Sequence, residues 1–223
     1  MNLNINFLEN NIIISNEYIS VLEIENKKTF YRIVNLLNKF SLGETIEEIA
    51  FYVENEEKNN IKINLFLDYF NWNLDSKKTN NELQKNIIDK LDDEYILELT
   101  KIYKKLYNTL NKMLLEVELP LEITQDFDIN IFIKNMKITL QQKNELLDNL
   151  LLIIDITNIL KLNDLLIFVN LKQYLSTTEL IELYKYSIYN NIKILLIDSQ
   201  TYGPTLEFEK KLIVDENLDE FVL

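Results

Sequence analysis

Histidine and cysteine are both absent from this chain of 223 residues. Without histidine there is no Ser-His-Asp or Cys-His nucleophile, no imidazole base near neutral pH, and no His/Cys zinc site. Without cysteine there is no disulfide and no thiolate chemistry, which agrees with a reducing compartment. Glycine is nearly as scarce: Gly43 and Gly203 are the only two. A P-loop needs two glycines within one short turn, followed by Lys and Ser or Thr, so that backbone amides can cradle phosphate. These two lie far apart and neither opens that signature. The dinucleotide fingerprint GxGxxG is excluded in the same way. Carboxylates, lysines, hydroxyls and a single arginine, Arg32, are left for chemistry, and carboxylates suit hard cations such as calcium or magnesium.

No apolar stretch approaches the ~18 residues that a membrane span requires. The run Leu150–Ile154 is stopped by Asp155. The opening Met1-Asn-Leu-Asn-Ile-Asn-Phe7 has neither the basic start nor the apolar run of a signal peptide. The expectation is a cytoplasmic protein without membrane contact. The formal net charge is −13, from 36 acids and 23 bases, a balance that repels nucleic acid unless local basic patches overcome it. With 47% hydrophobic and 26% charged residues, the chain can bury a real core at ordinary globular polarity.

Hydrophobic patterning supplies the elements. Asn2, Asn4 and Asn6 alternate with Leu3, Ile5 and Phe7, as in a half-buried strand. Ile12–Ile14 and Tyr18–Ile24 read as two more strands. The loop Asn26-Lys27-Lys28 follows, and then a helix that Thr29 would cap, with Phe30, Ile33, Val34, Leu36 and Leu37 at helical spacing. Ile61–Phe66 predicts a strand, and Glu54–Asn60 a loop. From about 79 to 162 the spacing predicts helices. One run covers 81–115, breaks near Asp92-Asp93 and ends before Pro120. A short helix is capped by Asp128, and the helix over 143–160 is apolar on most sides, which demands cover. Leu165–Val169 is a continuous apolar strand of the doubly buried kind. Ser176-Thr-Thr-Glu179 is a capping box, and Ile192–Ile197 is a further strand. This βαβ unit implies a parallel sheet. Lys211–Val214 predicts a last strand. The expected architecture is an α/β head, formed by 1–75 and 163–223, with a helical leg, 76–162, inserted.

Three windows hold bases and no acids. The first carries Lys27, Lys28, Arg32 and Lys39. The second carries Lys101, Lys104, Lys105 and Lys112, and the third Lys134, Lys137 and Lys143. At ~100° per residue the middle four share one helix face, opposite Ile102, Leu106, Leu110 and Met113. Ammonium groups in a row can track phosphates and release counterions; the plain alternative is a solvated outer face. Lys27 and Lys28 stand in the loop after a strand, the usual ligand edge of parallel folds, where a helix N-terminus could meet phosphate. Glu116, Glu118, Glu122, Asp126 and Asp128 cluster around Pro120, raw material for a calcium site or simply an acidic loop. Glu207, Glu209 and Lys211 faintly echo the carboxylate-x-lysine pattern of a metal nuclease.

Several segments, in order, give the whole chain a resemblance to one family. They are Met1-Asn-Leu-Asn4; Val21-Leu-Glu-Ile-Glu25 leading into Phe30–Leu37; Glu118-Leu-Pro-Leu-Glu122 after a long helix; Leu165–Asn170; Tyr174-Leu-Ser-Thr177; and Ile192–Asp198. Together they resemble the small DNA-end-binding adaptation protein of type II-A CRISPR systems, the Csn-type ring protein. That resemblance implies an α/β head related to P-loop NTPases, here without a working P-loop and so without nucleotide, plus a helical leg. It implies a homotetrameric ring whose lysine-lined channel threads linear double-stranded DNA ends. It implies calcium at Glu118 and Glu122, with Asp126 and Asp128 as further ligands; Pro120 departs from the family, where an acid can stand. The implied partners are the spacer-integrating proteins and the RNA-guided nuclease, and no catalytic activity is implied. Two rival readings remain: a carboxylate-metal nuclease using Glu209 and Lys211, and an acidic protein-interaction module that never touches nucleic acid.

Overall fold

The computed structural model describes residues 1–71, 76–117, 119–121, 123, 126–136 and 138–223. They form two compact units: Met1–Asn73 with Gln142–Leu223, and Leu74–Gln141.

The first unit is α/β. Its first half runs β1 (Asn2–Ile5), β2 (Ile12–Ile13), β3 (Ile19–Ile24), α1 (Lys27–Ser41), β4 (Ile49–Val53), β5 (Glu56–Glu57) and β6 (Ile63–Phe66). The second unit then supplies three helices, α2 (Lys77–Asp89), α3 (Asp93–Leu114) and α4 (Ile129–Asn135). The chain returns to the first unit with α5 (Leu146–Leu160), β7 (Leu165–Val169), a 3-10 turn at Leu171–Gln173, α6 (Thr177–Tyr189), β8 (Ile194–Asp198), β9 (Glu209–Val214) and β10 (Glu220–Val222).

Six strands make the main sheet in the order β10-β9-β3-β8-β7-β6. All neighbours are parallel except the edge pair β10 and β9. A smaller antiparallel sheet has the order β2-β1-β4-β5. Strand alternation sorts the main sheet's two faces. Leu22, Ile24, Ile167, Val169, Leu195, Ile197, Leu212 and Val214 form one core with α1 (Ile33, Leu36, Leu37) and with Leu3, Ile5 and Phe51 of the smaller sheet. The opposite face carries Val21, Phe168 and Leu196, also buried, and α6 lies over it, with its Tyr184 reaching Glu209 on β9. Because both faces are covered, β3, β7 and β8 are buried at every position. The capping box at Ser176 and Glu179 forms as expected, and β7-α6-β8 is the expected parallel βαβ unit.

Three expectations change. The helical leg does not extend to residue 162: α5 groups with the sheets. The reason is topological. β6 and β7 are parallel neighbours, parallel neighbours need a crossover, and α5 is the helix that leads into β7. Its Leu150, Ile153 and Ile154 are buried, and its Asp155 accepts a 2.6 Å hydrogen bond from Tyr186 of α6. Second, Asn26, not Thr29, caps α1: its side chain accepts from the Thr29 amide, so Lys27 and Lys28 belong to the first helical turn. Third, residues 49–57, read partly as loop, contain β4 and β5, and β4 is the partner that completes β1.

Phe168 is fully buried and stacks on Phe66 with ring centroids 4.8 Å apart. Phe168→Ala should cost about 3–5 kcal/mol through lost burial and a residual cavity, read as a lowered midpoint in urea unfolding.

Candidate functional site

Among the expected DNA-binding residues, Lys27, Lys28, Arg32, Lys101, Lys104, Lys105, Lys112 and Lys134 are all exposed. Lys137 lies outside the described residues. None of the eight is within ion-pair distance of a carboxylate among the described residues; the ion pairs there involve Lys58, Lys172 and Lys211. On α1, Lys28, Arg32 and Lys39 are spaced by four and seven residues and so share one stripe. Phe7 fixes its middle: the Arg32 guanidinium carbon sits 4.0 Å from that ring's centroid, a cation–π contact that orients the fork.

In the second unit, α3 presents three stripes. Lys101, Lys104, Lys105 and Lys112 form one. Tyr103 and Tyr107 form another and hold the returning segment. The Tyr103 hydroxyl donates to the Asp126 carbonyl at 3.4 Å, that of Tyr107 to the Ile123 carbonyl at 3.3 Å, and Tyr103 stacks on Phe127. The third stripe, expected to be the buried one, is not: Ile102 and Met113 are 61% and 58% exposed, and Leu106 and Leu110 are exposed too. Amphipathic spacing identifies an apolar face but not what covers it.

Of the acids expected to bind calcium, Glu118 and Glu122 lie outside the described residues. Asp126 is exposed. Asp128 caps α4, its Oδ1 accepting from the amides of Asn130 and Ile131 at 2.8 and 3.2 Å, and these bonds hold its carboxyl below the usual range. Among the described residues no three acids gather to hold a metal ion. The described part of this segment does not by itself fit calcium.

The densest ionisable cluster lies inside the first unit. Its members come from five elements. Glu23 is on β3, Glu209 and Lys211 on β9, Asp198 at the end of β8, Lys172 in the 3-10 turn and Tyr184 on α6, and all are buried. Glu23 Oε1 accepts from Lys172 Nζ at 3.2 Å and Lys211 Nζ at 3.0 Å. Glu209 Oε1 accepts from Lys172 Nζ at 2.8 Å and the Tyr184 hydroxyl at 2.7 Å, and its Oε2 accepts the Leu206 amide at 3.0 Å. Lys211 also donates to the carbonyls of Tyr202 and Gly203. Burial pushes the Asp198 carboxyl up to about 7; Glu23 and Glu209 push the same way, while the charge and backbone amide of Lys172 pull back. Burial likewise holds the Tyr184 hydroxyl far above its ordinary range. Sequence reading singled out Glu209 and Lys211 but missed Glu23, Asp198 and Lys172. The available signal was a charge within, or next to, an otherwise apolar buried run: Glu23 in Val21–Ile24, Asp198 after Ile197, and Lys172 two residues past Asn170.

A mixed α/β protein with a largely parallel sheet, a helical unit and surface stripes of exposed lysine is the class these features define. Residues 45–218 match the family model described as CRISPR-associated protein (Cas_Csn2). The chain belongs to this Csn2 family, whose role is in CRISPR adaptation and whose members are generally not catalysts. No curated protein matches it. The crystal structure of Stu0660 of Streptococcus thermophilus aligns with 100% of this chain and 76% of that one, with a TM-score of 0.59 at 15% identity, a likeness of fold alone.

Truncating one partner of a buried ion network leaves charge uncompensated, at a cost of about 3–5 kcal/mol. Lys172→Met should lower stability by that order in urea unfolding. Adding Glu209→Gln should restore part of the loss, because it removes one of the two carboxylates that Lys172 neutralises.

Proposed function

We propose that this protein is a non-enzymatic, ring-forming binder of linear double-stranded DNA ends in CRISPR spacer acquisition. The observation that carries the reading is the grouping of exposed lysines and one arginine into acid-free windows of a chain of net charge −13. Each of their sequence windows holds no acid. Stripes of this kind are suited to phosphates, and four copies facing inward would concentrate that charge while the acidic surface faces solvent. The bare apolar stripe on α3 supports self-association, since a face of this width is normally covered. The natural further partners are the spacer-integrating proteins and the RNA-guided nuclease of the same system.

The head suits this role without nucleotide chemistry. Its five parallel strands, in chain order β3, β6, β7, β8, β9, stand in space as fifth-first-fourth-third-second, an order like that of a P-loop NTPase head. The turn after β3 has no glycine, and the Asn26 side chain takes the Thr29 amide that a phosphate would otherwise meet. Asn170, at the end of β7, accepts from the Ser199 amide at 2.8 Å where a working NTPase strand would usually end in an acid. The nuclease reading has less support: Glu209 and Lys211 are buried and engaged with Lys172, Tyr184 and Glu23. Calcium belongs to the proposal as a family expectation resting on the acids between 118 and 128.

The test is binding of purified protein to linear and covalently closed circular DNA of one sequence, across a salt series, with calcium, magnesium or chelator. Solution mass is measured alongside. The expected result is a tetramer that retains only the linear form, leaves it uncut, and loses affinity steeply with salt. In Lys101→Ala/Lys104→Ala/Lys105→Ala, affinity should fall and the log–log salt slope should flatten by about one per phosphate contact removed. Cleavage in magnesium would favour the nuclease, and no affinity at any salt would favour the protein-interaction module.

A further inference from the structure

With every acid and base in it charged, the buried cluster does not balance. Three carboxylates, Glu23, Asp198 and Glu209, face two ammonium groups, Lys172 and Lys211, where water does not reach. Two of the three have donors. Asp198 has none of ordinary geometry on either oxygen, and Glu23 lacks one on Oε2. An uncompensated buried carboxylate is among the costliest groups a protein can hold.

These two defects lie side by side. Glu23 and Asp198 are direct register partners on the parallel strands β3 and β8, so both side chains leave the sheet on the same face. Glu209 and Lys211 on β9 share that face, since Lys211 is the register partner of Val21, two residues before Glu23. Lys172 comes over it from the 3-10 turn and Tyr184 from α6. The remaining ionisable groups near Asp198 are Tyr69, after β6, and Tyr202, after β8. Both phenols are held up by burial first, with Asp198 itself pushing the same way, so neither supplies charge near neutral pH.

We propose that Asp198 carries a proton that it shares with Glu23, closing the charge balance of the cluster and tying the end of β8 to β3. One proton relieves both defects and leaves only the neutral carbonyl oxygen of Asp198 without a donor. It brings the cluster to two negative and two positive charges, and an O–H on Asp198 gives Glu23 Oε2 its donor. The device is pH-sensitive, because loss of the proton sets two carboxylates next to each other under a cover that excludes water. It does not depend on what the protein binds.

The direction of the pH effect follows from linkage. The Asp198 carboxyl, near 3.8 when unfolded, is raised to about 7 in the fold, so the folded state binds the extra proton between those values. Its contribution is fully present below the ordinary carboxylate range and is lost as pH rises through about 7. Over that window the folding constant should drop by up to about tenfold per pH unit from this group. Asp198→Asn keeps the shape and offers Glu23 an N–H that does not titrate.

Urea unfolding of wild type and Asp198→Asn from about pH 5 to pH 8 should show the variant gaining on the wild type as pH rises towards about 7 and levelling off above it. Infrared spectra of the wild type should show a protonated-carboxyl C=O band at about pH 6 that fades by about pH 8. A difference between the two proteins that stays constant with pH would overturn the proposal. So would a wild-type spectrum with no protonated carboxyl at about pH 6, a measurement that decides the matter even if the variant fails to fold.

Discussion

Two ammonium groups, Lys172 and Lys211, lie inside the first unit with almost no exposure, and the surrounding architecture is arranged to tolerate them. Lysine is rarely fully buried unless paired, and here the pairing is supplied by strands far apart in sequence. Glu23 arrives on β3, and Glu209 and Lys211 on β9. Lys172 is delivered by the turn after β7, and Tyr184 by the helix between β7 and β8. The network therefore requires these strands in this order, and it demands the same face of each. A slip of one residue in any strand would turn a charge into the apolar core on the opposite side. Apolar packing makes this sheet stable; the charge network makes its register specific.

The same economy of charge marks the surface. In a chain with 36 acids, the exposed basic residues on α1 and α3 form no ion pair among the described residues, while Lys172 and Lys211 inside the fold are engaged by carboxylates. On α3 that basic stripe runs beside an uncovered apolar stripe and a tyrosine stripe that holds the segment following the helix. Each surface of one helix thus has a different task. The tyrosines keep the returning chain in place, the lysines offer unneutralised charge, and the apolar residues offer a face that a further chain can cover. The crossover between β6 and β7 is where this second unit enters, which leaves the parallel pairing of the head intact because α5 still completes the connection.

The sequence by itself determined the exclusions and the local elements. The absence of histidine, cysteine and paired glycines limits the chemistry, since no folding can create an imidazole or a phosphate loop from residues that are not there. Helix caps at Ser176 and Asp128, the apolar runs of β7 and β8 and the break before α3 were legible because each rests on residues only a few positions apart. The lysine face of α3 was legible for the same reason. Only the tertiary structure decided which strands are neighbours, and hence that Glu23 meets Asp198, that Lys172 meets Glu209, and that α5 belongs with the sheets. It also decided that the apolar face of α3 stays bare. Those outcomes depend on pairings across as many as 175 positions between Glu23 and Asp198, and spacing along the chain carries no record of a contact whose partners are set by sheet order.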